Sequence, residues 1–271
     1  MNQGPKVVSE LLPRVMEEQD LVMLRQAHEH LEHPSLAARL SSVVGTPIEV
    51  ALQLLPKRWY RKVQGAAEKA IHKSLNSAIT SMKYVEDVSP HESYYKLLVG
   101  GVGAAGGFFG LPGLLFELPI TTTLMLRSIA EIANSAGEDI KRHETQAACL
   151  QVFALGGRSE LDDGADTGYY GVRLALATYW RGGAIETALH GGIAAAGLIQ
   201  AVAARFGVNL SQRAAAHMVP IAGAASSALI NVIFMQHFQE MARSHFTVRR
   251  LERKYGAELV QRHYDRFDQE K

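Results

Sequence analysis

Three long runs of the sequence contain no Asp, Glu, Lys or Arg, and they constrain the fold more than any other feature. The runs cover residues 97–116, 187–204 and 214–239, which are 20, 18 and 26 positions long. A helix of about 20 apolar residues can cross a bilayer or pass through the centre of a large soluble core. The chain therefore needs either a membrane or many neighbouring helices to cover these segments.

The composition of the runs favours burial inside protein. Between residues 182 and 230, 22 of 49 residues are Gly or Ala, so the apolar character is modest. The third run also contains His217, Asn231 and Gln236, and Pro220 interrupts it. Lipid tolerates such polar groups poorly unless they are paired, whereas small residues let helices pack closely in soluble cores. We predict buried helices of a soluble body, with membrane-spanning helices as the alternative.

Local signals predict helices throughout. Apolar residues recur at spacings of three and four, and no series of alternating strands is visible. Helix starts are predicted where a hydroxyl residue precedes Pro, at Thr46 and Ser89, and helix ends are predicted at Gly137, Gly156-Gly157, Gly207 and Gly256. The predicted class is all-α, a multi-helix bundle with long, Gly/Ala-rich, closely packed central helices.

The chain divides by composition into three segments. Residues 1–45 form an N-terminal charged helical segment, residues 46–256 the helical core, and residues 257–271 a charged C-terminal tail. Residues 1–20 are too charged for a secretory signal, so we expect a cytoplasmic protein. A peripheral position on the inner membrane is left open. The single Cys149 excludes an intramolecular disulfide.

The charge balance excludes several functional classes. The 28 Lys and Arg residues nearly equal the 27 Asp and Glu residues, so the whole molecule is not a polyanion binder and we predict no nucleic-acid partner. His28 and Glu32, like Glu29 and His33, are one helical turn apart, but this spacing is common on charged surface helices. We predict no metal site and no cofactor.

A basic stretch is the first candidate for a functional surface. Residues 57–73 contain six Lys or Arg residues and one acid, Glu68. A basic amphipathic helix with interfacial aromatics suits an anionic membrane surface, while a merely solvated helix face is the alternative. The candidate membrane-surface residues here are Lys57, Arg58, Trp59, Arg61 and Lys62.

An apolar segment between residues 106 and 119 is the second candidate. It carries the adjacent Phe108 and Phe109 and is predicted to be a loop that ends before a helix starting near Pro119. Such a loop can dip into a bilayer surface, line a pocket for an acyl chain, or fold against the core. The sequence leaves these alternatives open.

Polar residues near this loop are candidate ligand anchors. On the predicted helix, Arg127 and Glu131 are four residues apart and can pair, and Thr121 shares their side. Together with Glu117 they are predicted to hold the head of an amphiphile; the alternative is a stripe that faces solvent or bridges helices. We find no nucleophile motif and predict no catalytic residue.

Residues 101–106 match the letters of a dinucleotide-binding fingerprint, Gly-x-Gly-x-x-Gly. The context is wrong, because the segment follows a predicted helix start at Ser89 and not a strand. Glycines at this spacing indicate close helix packing instead.

The order of these segments resembles the EcsC family. The most specific likeness lies in two blocks, and the remainder of the likeness is spread over residues 46–256. The blocks are Glu117-Leu118-Pro119-Ile120-Thr121-Thr122 with Leu126-Arg127-Ser128-Ile129-Ala130-Glu131, and Val219-Pro220-Ile221-Ala222-Gly223-Ala224 through Asn231. The glycines of residues 101–113, the Gly137 stop and Tyr169-Tyr170 with Arg173 add to it.

The resemblance implies a bacterial protein linked to transport or envelope processes, since the family is named for a protein encoded beside an ABC transporter. It supplies no catalytic residue. We therefore expect a non-enzymatic accessory protein associated with an anionic membrane surface or a membrane complex, with a lipid ligand and a homo-oligomer both left open. An enzyme or carrier with an apolar pocket for a lipid-like ligand is the alternative.

Overall fold

The structure, a computed structural model, describes residues 15–82, 90–106, 110–155, 168–180, 193–218 and 224–270. These ranges contain eleven α-helices, one short 3-10 turn and no strand, which confirms the predicted all-α class. The helices are α1 (Glu18–Glu32), α2 (Leu36–Val44), α3 (Ile48–Leu54), α4 (Lys57–Met82), α5 (Glu92–Gly106), α6 (Gly110–Ser135), α7 (His143–Gln151), α8 (Tyr169–Trp180), α9 (Ile193–Ala216), α10 (Ala224–Tyr255) and α11 (Ala257–Gln269).

The longest helix, α10, is the centre of the bundle. Its 32 residues pack against α1, α2, α5, α6 and α11. Phe234 and Phe238 of α10 are buried in a cluster of aromatic rings with Phe153 and Phe206. The middle of α10 is buried on most of its sides, and its buried residues include polar ones such as Asn231 and Gln239.

Helices α4, α6 and α5 form one layer, and α9 and α10 lie behind it. In this layer α6 packs against both α4 and α5, while α9 packs against α4, and α10 against α5 and α6. Gly207 of α9 leaves no room for a Cβ because the amide of Gln64 on α4 occupies that position. Small residues therefore allow the predicted close packing of the central helices.

Two of the predicted helix ends are confirmed and one is wrong. Gly137 and Gly256 follow the ends of α6 and α10 with φ of 81° and 92°, a conformation that favours glycine. Gly207 lies in the interior of α9, because its role is close packing and not chain reversal. Residues 156–157 lie outside the described residues.

The predicted loop and helix start around Pro119 are wrong. The chain is helical from Gly110, and Pro119 lies inside α6. Pro112 falls in the first turn, where its missing N–H has no intrahelical partner. At Pro119 the helix continues, and the Thr123 hydroxyl donates to the Pro119 carbonyl at 2.7 Å. Packing on α4, α5 and α10 therefore outweighs the local cost of proline.

Helices begin within three residues of both predicted starts, at Ile48 and Glu92, and Ser89 itself lies outside the described residues. Helix α3 begins at Ile48, whose N–H donates to the Ser41 hydroxyl at 2.9 Å, and no cap from Thr46 forms. Ahead of α5, the His91 N–H donates to the Glu131 carboxylate at 3.0 Å. The orphan donors are satisfied by distant acceptors that the local motif does not specify.

One helical segment, Pro112–Ser135, has the length and hydropathy of a membrane span among the described residues. Its mean hydropathy is 1.2, and 61% of its apolar window is buried against other helices. Core helices of soluble proteins share these properties. Residues of the N- and C-terminal segments, such as Leu24 of α1 and Val260 of α11, belong to the same hydrophobic core.

Candidate functional site

Helix α4 presents a stripe of basic side chains to solvent. Its buried positions, including Val63, Ala67, Ala70 and Ile71, recur at spacings of three and four and face α6 and α9. The basic residues fall on the opposite side, where all six are exposed. We call the following six residues the basic stripe: Lys57, Arg58, Arg61, Lys62, Lys69 and Lys73.

No residue of the basic stripe forms an ion pair with an acid in the part of the chain that the structure describes. Lys62 Nζ lies 4.8 Å from the ring centre of Trp59, which packs partly against the core. The charges of the stripe are therefore available to an external anion without the loss of an internal partner.

Apolar side chains surround the N-terminal end of this stripe. Leu55, Lys57, Tyr60 and Arg61 line a surface depression of about 420 Å³. On the adjacent α3, Leu54 is 61% exposed. Basic and apolar groups thus alternate on one surface, as they do in proteins that contact the interface of a bilayer.

Phe108 and Phe109, the other predicted membrane-surface residues, lie outside the described residues. A neighbouring Phe116 on α6 is 82% exposed, the second most exposed large apolar side chain of the described structure. Ile120, one turn further along α6, is also exposed. Together with Pro112 these two residues form an apolar stripe along the outer side of α6.

Glu117 and Thr121 are brought together in the interior, behind the apolar stripe. The guanidinium of Arg213 on α9 is fully buried and pairs with the Glu117 carboxylate, and its Nη1 lies 3.5 Å from Thr121 Oγ1. Burial raises the pKa of Glu117, and the charge of Arg213 opposes this only in part. This ion pair joins α6 to α9 across the core.

Two helices close tightly around the Glu117–Arg213 pair. A Cβ on Gly106 of α5 would lie 2.5 Å from a Glu117 carboxylate oxygen. A Cβ on Gly103 would overlap the Asn231 amide and approach the Ser227 carbonyl to 2.8 Å. Two of the three glycines that match the dinucleotide fingerprint, Gly103 and Gly106, therefore serve close packing, whereas Gly101 faces open space.

Arg127 and Glu131 do not join this pair. Glu131 lies 14 residues beyond Glu117, which is about 21 Å along the helix, and accepts a hydrogen bond from Tyr95 at 2.6 Å. Arg127 is exposed and forms no ion pair with Glu131 among the described residues. The four predicted ligand anchors are thus divided between an interior ion pair, a capping acceptor and a surface cation.

A cleft of about 350 Å³ near the end of α6 is lined by charged residues that sequence reasoning missed. Arg249 and Arg253 of α10 both pair with Glu138, and Arg173 of α8 makes two hydrogen bonds to Glu252, at 2.6 and 2.9 Å. Burial alone would raise the pKa of Glu138, but the two guanidinium groups outweigh it and hold the pKa below its usual value. These charges neutralise one another and join α8 and α10 to the segment after α6.

The residues considered as metal ligands have structural partners. His28 Nε2 lies 2.9 Å from Asp268, and Glu32 accepts hydrogen bonds from the Tyr169 N–H and the Tyr264 hydroxyl. Cys149 is buried, and burial raises the pKa of its thiol to about 12, so it is a poor nucleophile.

Sequence reasoning also missed Arg213 itself. A signal was present, because Arg213 directly precedes the 26-residue charge-free run. A charge at that position lies in or beside the predicted core. Its partner, 96 residues away, leaves no local signal.

No characterised protein and no solved structure shows significant similarity to the chain. The EcsC protein family, in contrast, matches residues 18–251, from the first residue of α1 to the last turns of α10. This range contains the basic stripe, the apolar stripe and the buried Glu117–Arg213 pair. Because the match covers most of the sequence, the chain belongs to the EcsC protein family.

Proposed function

We propose that this protein is a non-enzymatic helical accessory protein that associates reversibly with the inner face of the bacterial inner membrane. The observation that supports the proposal is the basic stripe of α4, whose six cations are exposed and without an acidic partner in the described structure. An anionic lipid surface is the partner that such a stripe fits best.

The expected affinity follows from the charges. Each basic residue near an anionic membrane surface contributes about 1 kcal/mol, and screening by salt weakens this attraction. Tyr60 and Leu54, exposed beside the stripe, add apolar contact at the interface. A net charge of only +1 for the whole chain means that binding depends on this surface and not on bulk charge.

A membrane complex of the ABC-transporter type is the environment in which we propose that the protein acts. Its place at the membrane would follow from lipid contact, and contact with membrane-protein subunits or with a second copy of the chain would add to it. Nucleic acid is not proposed as a partner, since the basic stripe is isolated on a neutral molecule.

The proposal is tested by co-sedimentation with vesicles of phosphatidylglycerol mixed into phosphatidylcholine, compared with phosphatidylcholine alone. We expect binding to the anionic vesicles only, with release by high salt. The triple variant Arg58→Glu, Arg61→Glu and Lys62→Glu removes half of the basic stripe and reverses its charge. We expect this variant to lose sedimentation.

A matched control keeps the change in net charge the same. Lys141, Arg262 and Arg266 are exposed basic residues outside α4, and their replacement by Glu should leave vesicle binding close to that of the wild type. Absence of binding to anionic vesicles, or equal loss in both triple variants, would contradict the proposal.

A further inference from the structure

We infer that the bilayer contacts one lateral face of the protein, on which the apolar stripe of α6 enters the lipid interface beside the basic stripe of α4. This inference rests on the proposed function and adds the docking face and its apolar anchor, Phe116 with Ile120. The partner is an anionic lipid surface.

The first step is that one helix lies behind both stripes. Gln64 of α4 contacts Gly207 of α9, and Glu117 of α6 pairs with Arg213 of α9. The two α9 residues are six positions apart, or about 9 Å along the helix axis. The buried side of α4 packs against α9, and the buried Glu117 of α6 points to the same helix, so the exposed sides of α4 and α6 both face away from α9.

The second step is the direction of the two helices. Thr123 of α6 lies 3.3 Å from Ser74 of α4, measured between hydroxyl oxygens. If α4 were antiparallel to α6, Gln64 would lie more than about 20 Å from Glu117 along the axis. The contacts that Gln64 and Glu117 make on α9 are only about 9 Å apart along its axis, so the antiparallel arrangement does not fit. The helices α4 and α6 therefore run parallel.

The parallel arrangement sets the two stripes side by side. Counting back from the Ser74–Thr123 contact, Lys69 is level with residue 118 and Lys73 with residue 122. Phe116 and Ile120 are thus flanked by lysines at the same height of the bundle. Exposed apolar groups beside unpaired cations are the combination that an anionic bilayer interface accommodates.

Helix α5 extends the apolar part of this face. It packs on the other side of α6 and contacts α10 behind the layer through Gly103. Leu97, on the opposite side of α5 from the buried Val99 and Gly103, is 74% exposed. The face therefore runs from a basic helix to two helices with outward apolar side chains.

The experiment places a probe at the centre of this face. Cys149 is the only cysteine and is fully buried, so Phe116→Cys can be labelled selectively with the environment-sensitive fluorophore NBD. With phosphatidylglycerol-containing vesicles we expect a blue shift and quenching by lipids that carry a nitroxide in the upper acyl chain. The same label at Leu174→Cys on α8, a site 67% exposed, should show neither change.

Co-sedimentation in the same samples separates the outcomes. If the protein sediments with the vesicles but the probe at position 116 neither shifts nor is quenched, the lateral docking face is wrong while the proposed function stands. That result would point to a protein partner for the apolar stripe. If the protein does not sediment with anionic vesicles, both proposals are overturned.

A second variant tests the energy of the contact without a label. If the side chains of one phenylalanine and one isoleucine enter the lipid, their removal should weaken vesicle partitioning by at least about tenfold. We expect this loss for Phe116→Ser with Ile120→Ser, whereas Val22→Ser with Leu174→Ser, both exposed apolar sites elsewhere, should keep wild-type partitioning. Equal partitioning of the two double variants would overturn the docking face.

Discussion

The charged cleft at the end of α6 and the basic stripe of α4 use the same residue types in opposite ways. In the cleft, Arg249 and Arg253 share Glu138, and Arg173 is held by Glu252 in a bidentate pair. The basic stripe has six cations and no acidic partner in the described structure. The charges of the first region hold helices together, whereas those of the second are exposed to solvent.

The two kinds of charge should differ in their contribution to stability. Partly buried pairs with several hydrogen bonds fix the positions of helices, and the loss of one partner leaves an uncompensated charge. Exposed cations contribute little to the free energy of unfolding. Substitutions should therefore affect stability in the cleft and in the core, and vesicle binding on the stripe.

The largest effect on stability is expected for the ion pair that lies behind the stripes. Arg213→Met leaves the Glu117 carboxylate buried without its partner and should lower the free energy of unfolding by about 3–5 kcal/mol, measured by urea denaturation. The exposed pair of Arg142 with Glu144 is the control, and Arg142→Met should cost less than about 1 kcal/mol. An equal loss of unfolding free energy for Arg213→Met and Arg142→Met would contradict the difference between buried and exposed ion pairs.

As the pH falls, the buried histidines should lower the stability at a higher pH than the carboxylate of the charged cleft does. Burial lowers the pKa of His237 to about 4 and that of His245 well below its usual value, so the unfolded chain binds more protons than the folded chain below about pH 6.5. Stability should therefore fall as the pH falls from 6.5 to 5, by about 1–2 kcal/mol for His237 and in the same direction for His245.

The same pH series distinguishes the cleft from the core. Glu138 has a lowered pKa, so its contribution to stability is present above its usual pKa of 4.5 and is lost only at lower pH. Urea denaturation at pH 7.5, 6 and 5 should show a smaller loss for His237→Gln than for the wild type. Parallel pH dependence of the two proteins would contradict this assignment.

Substitution of two glycines of α5 tests the difference between the buried and the exposed side of one helix. Gly103→Ala adds a Cβ that overlaps Asn231 and should destabilise by about 1–3 kcal/mol. Gly101→Ala adds a Cβ in open space and should stabilise the helix by up to about 1 kcal/mol. Thermal or urea denaturation checks both, and the same sign at both positions would refute the packing described here.

The smallest effect on stability is expected on the basic stripe itself. Lys69→Gln with Lys73→Gln should change the free energy of unfolding by no more than about 0.5 kcal/mol, since neither lysine forms an ion pair among the described residues. Vesicle binding should weaken by about thirtyfold, from about 1 kcal/mol per cation. Glu138→Gln in the cleft is the reciprocal control, expected to lower stability and to leave vesicle binding unchanged.

Features that depend on a few neighbouring residues could be predicted from the sequence. The all-α class follows from apolar spacing, and the ends of α6 and α10 follow from Gly137 and Gly256, because only glycine adopts a positive φ at little cost. The burial of the charge-free runs could be inferred in part, since α6 and the described part of α9 and α10 supply many core residues.

Features that depend on packing between helices could not be predicted from the sequence. Pro119 resembles a helix start and Gly207 a helix end, yet both lie inside helices because contacts with other helices outweigh the local preference. Arg127 and Glu131 have the spacing of an ion pair, but the Tyr95 hydroxyl and the His91 N–H take the Glu131 carboxylate instead.

The sequence by itself determined that the chain forms helices, that some of them must be covered, and that one of them carries a basic side. Helical periodicity and residue charge are properties of neighbouring positions, so they can be read without a partner. Only the tertiary structure decided that Glu117 meets Arg213 in the core and that Thr123 of α6 meets Ser74 of α4. Such contacts join residues far apart in the chain, and they form only when many weak packing interactions select one arrangement of the helices.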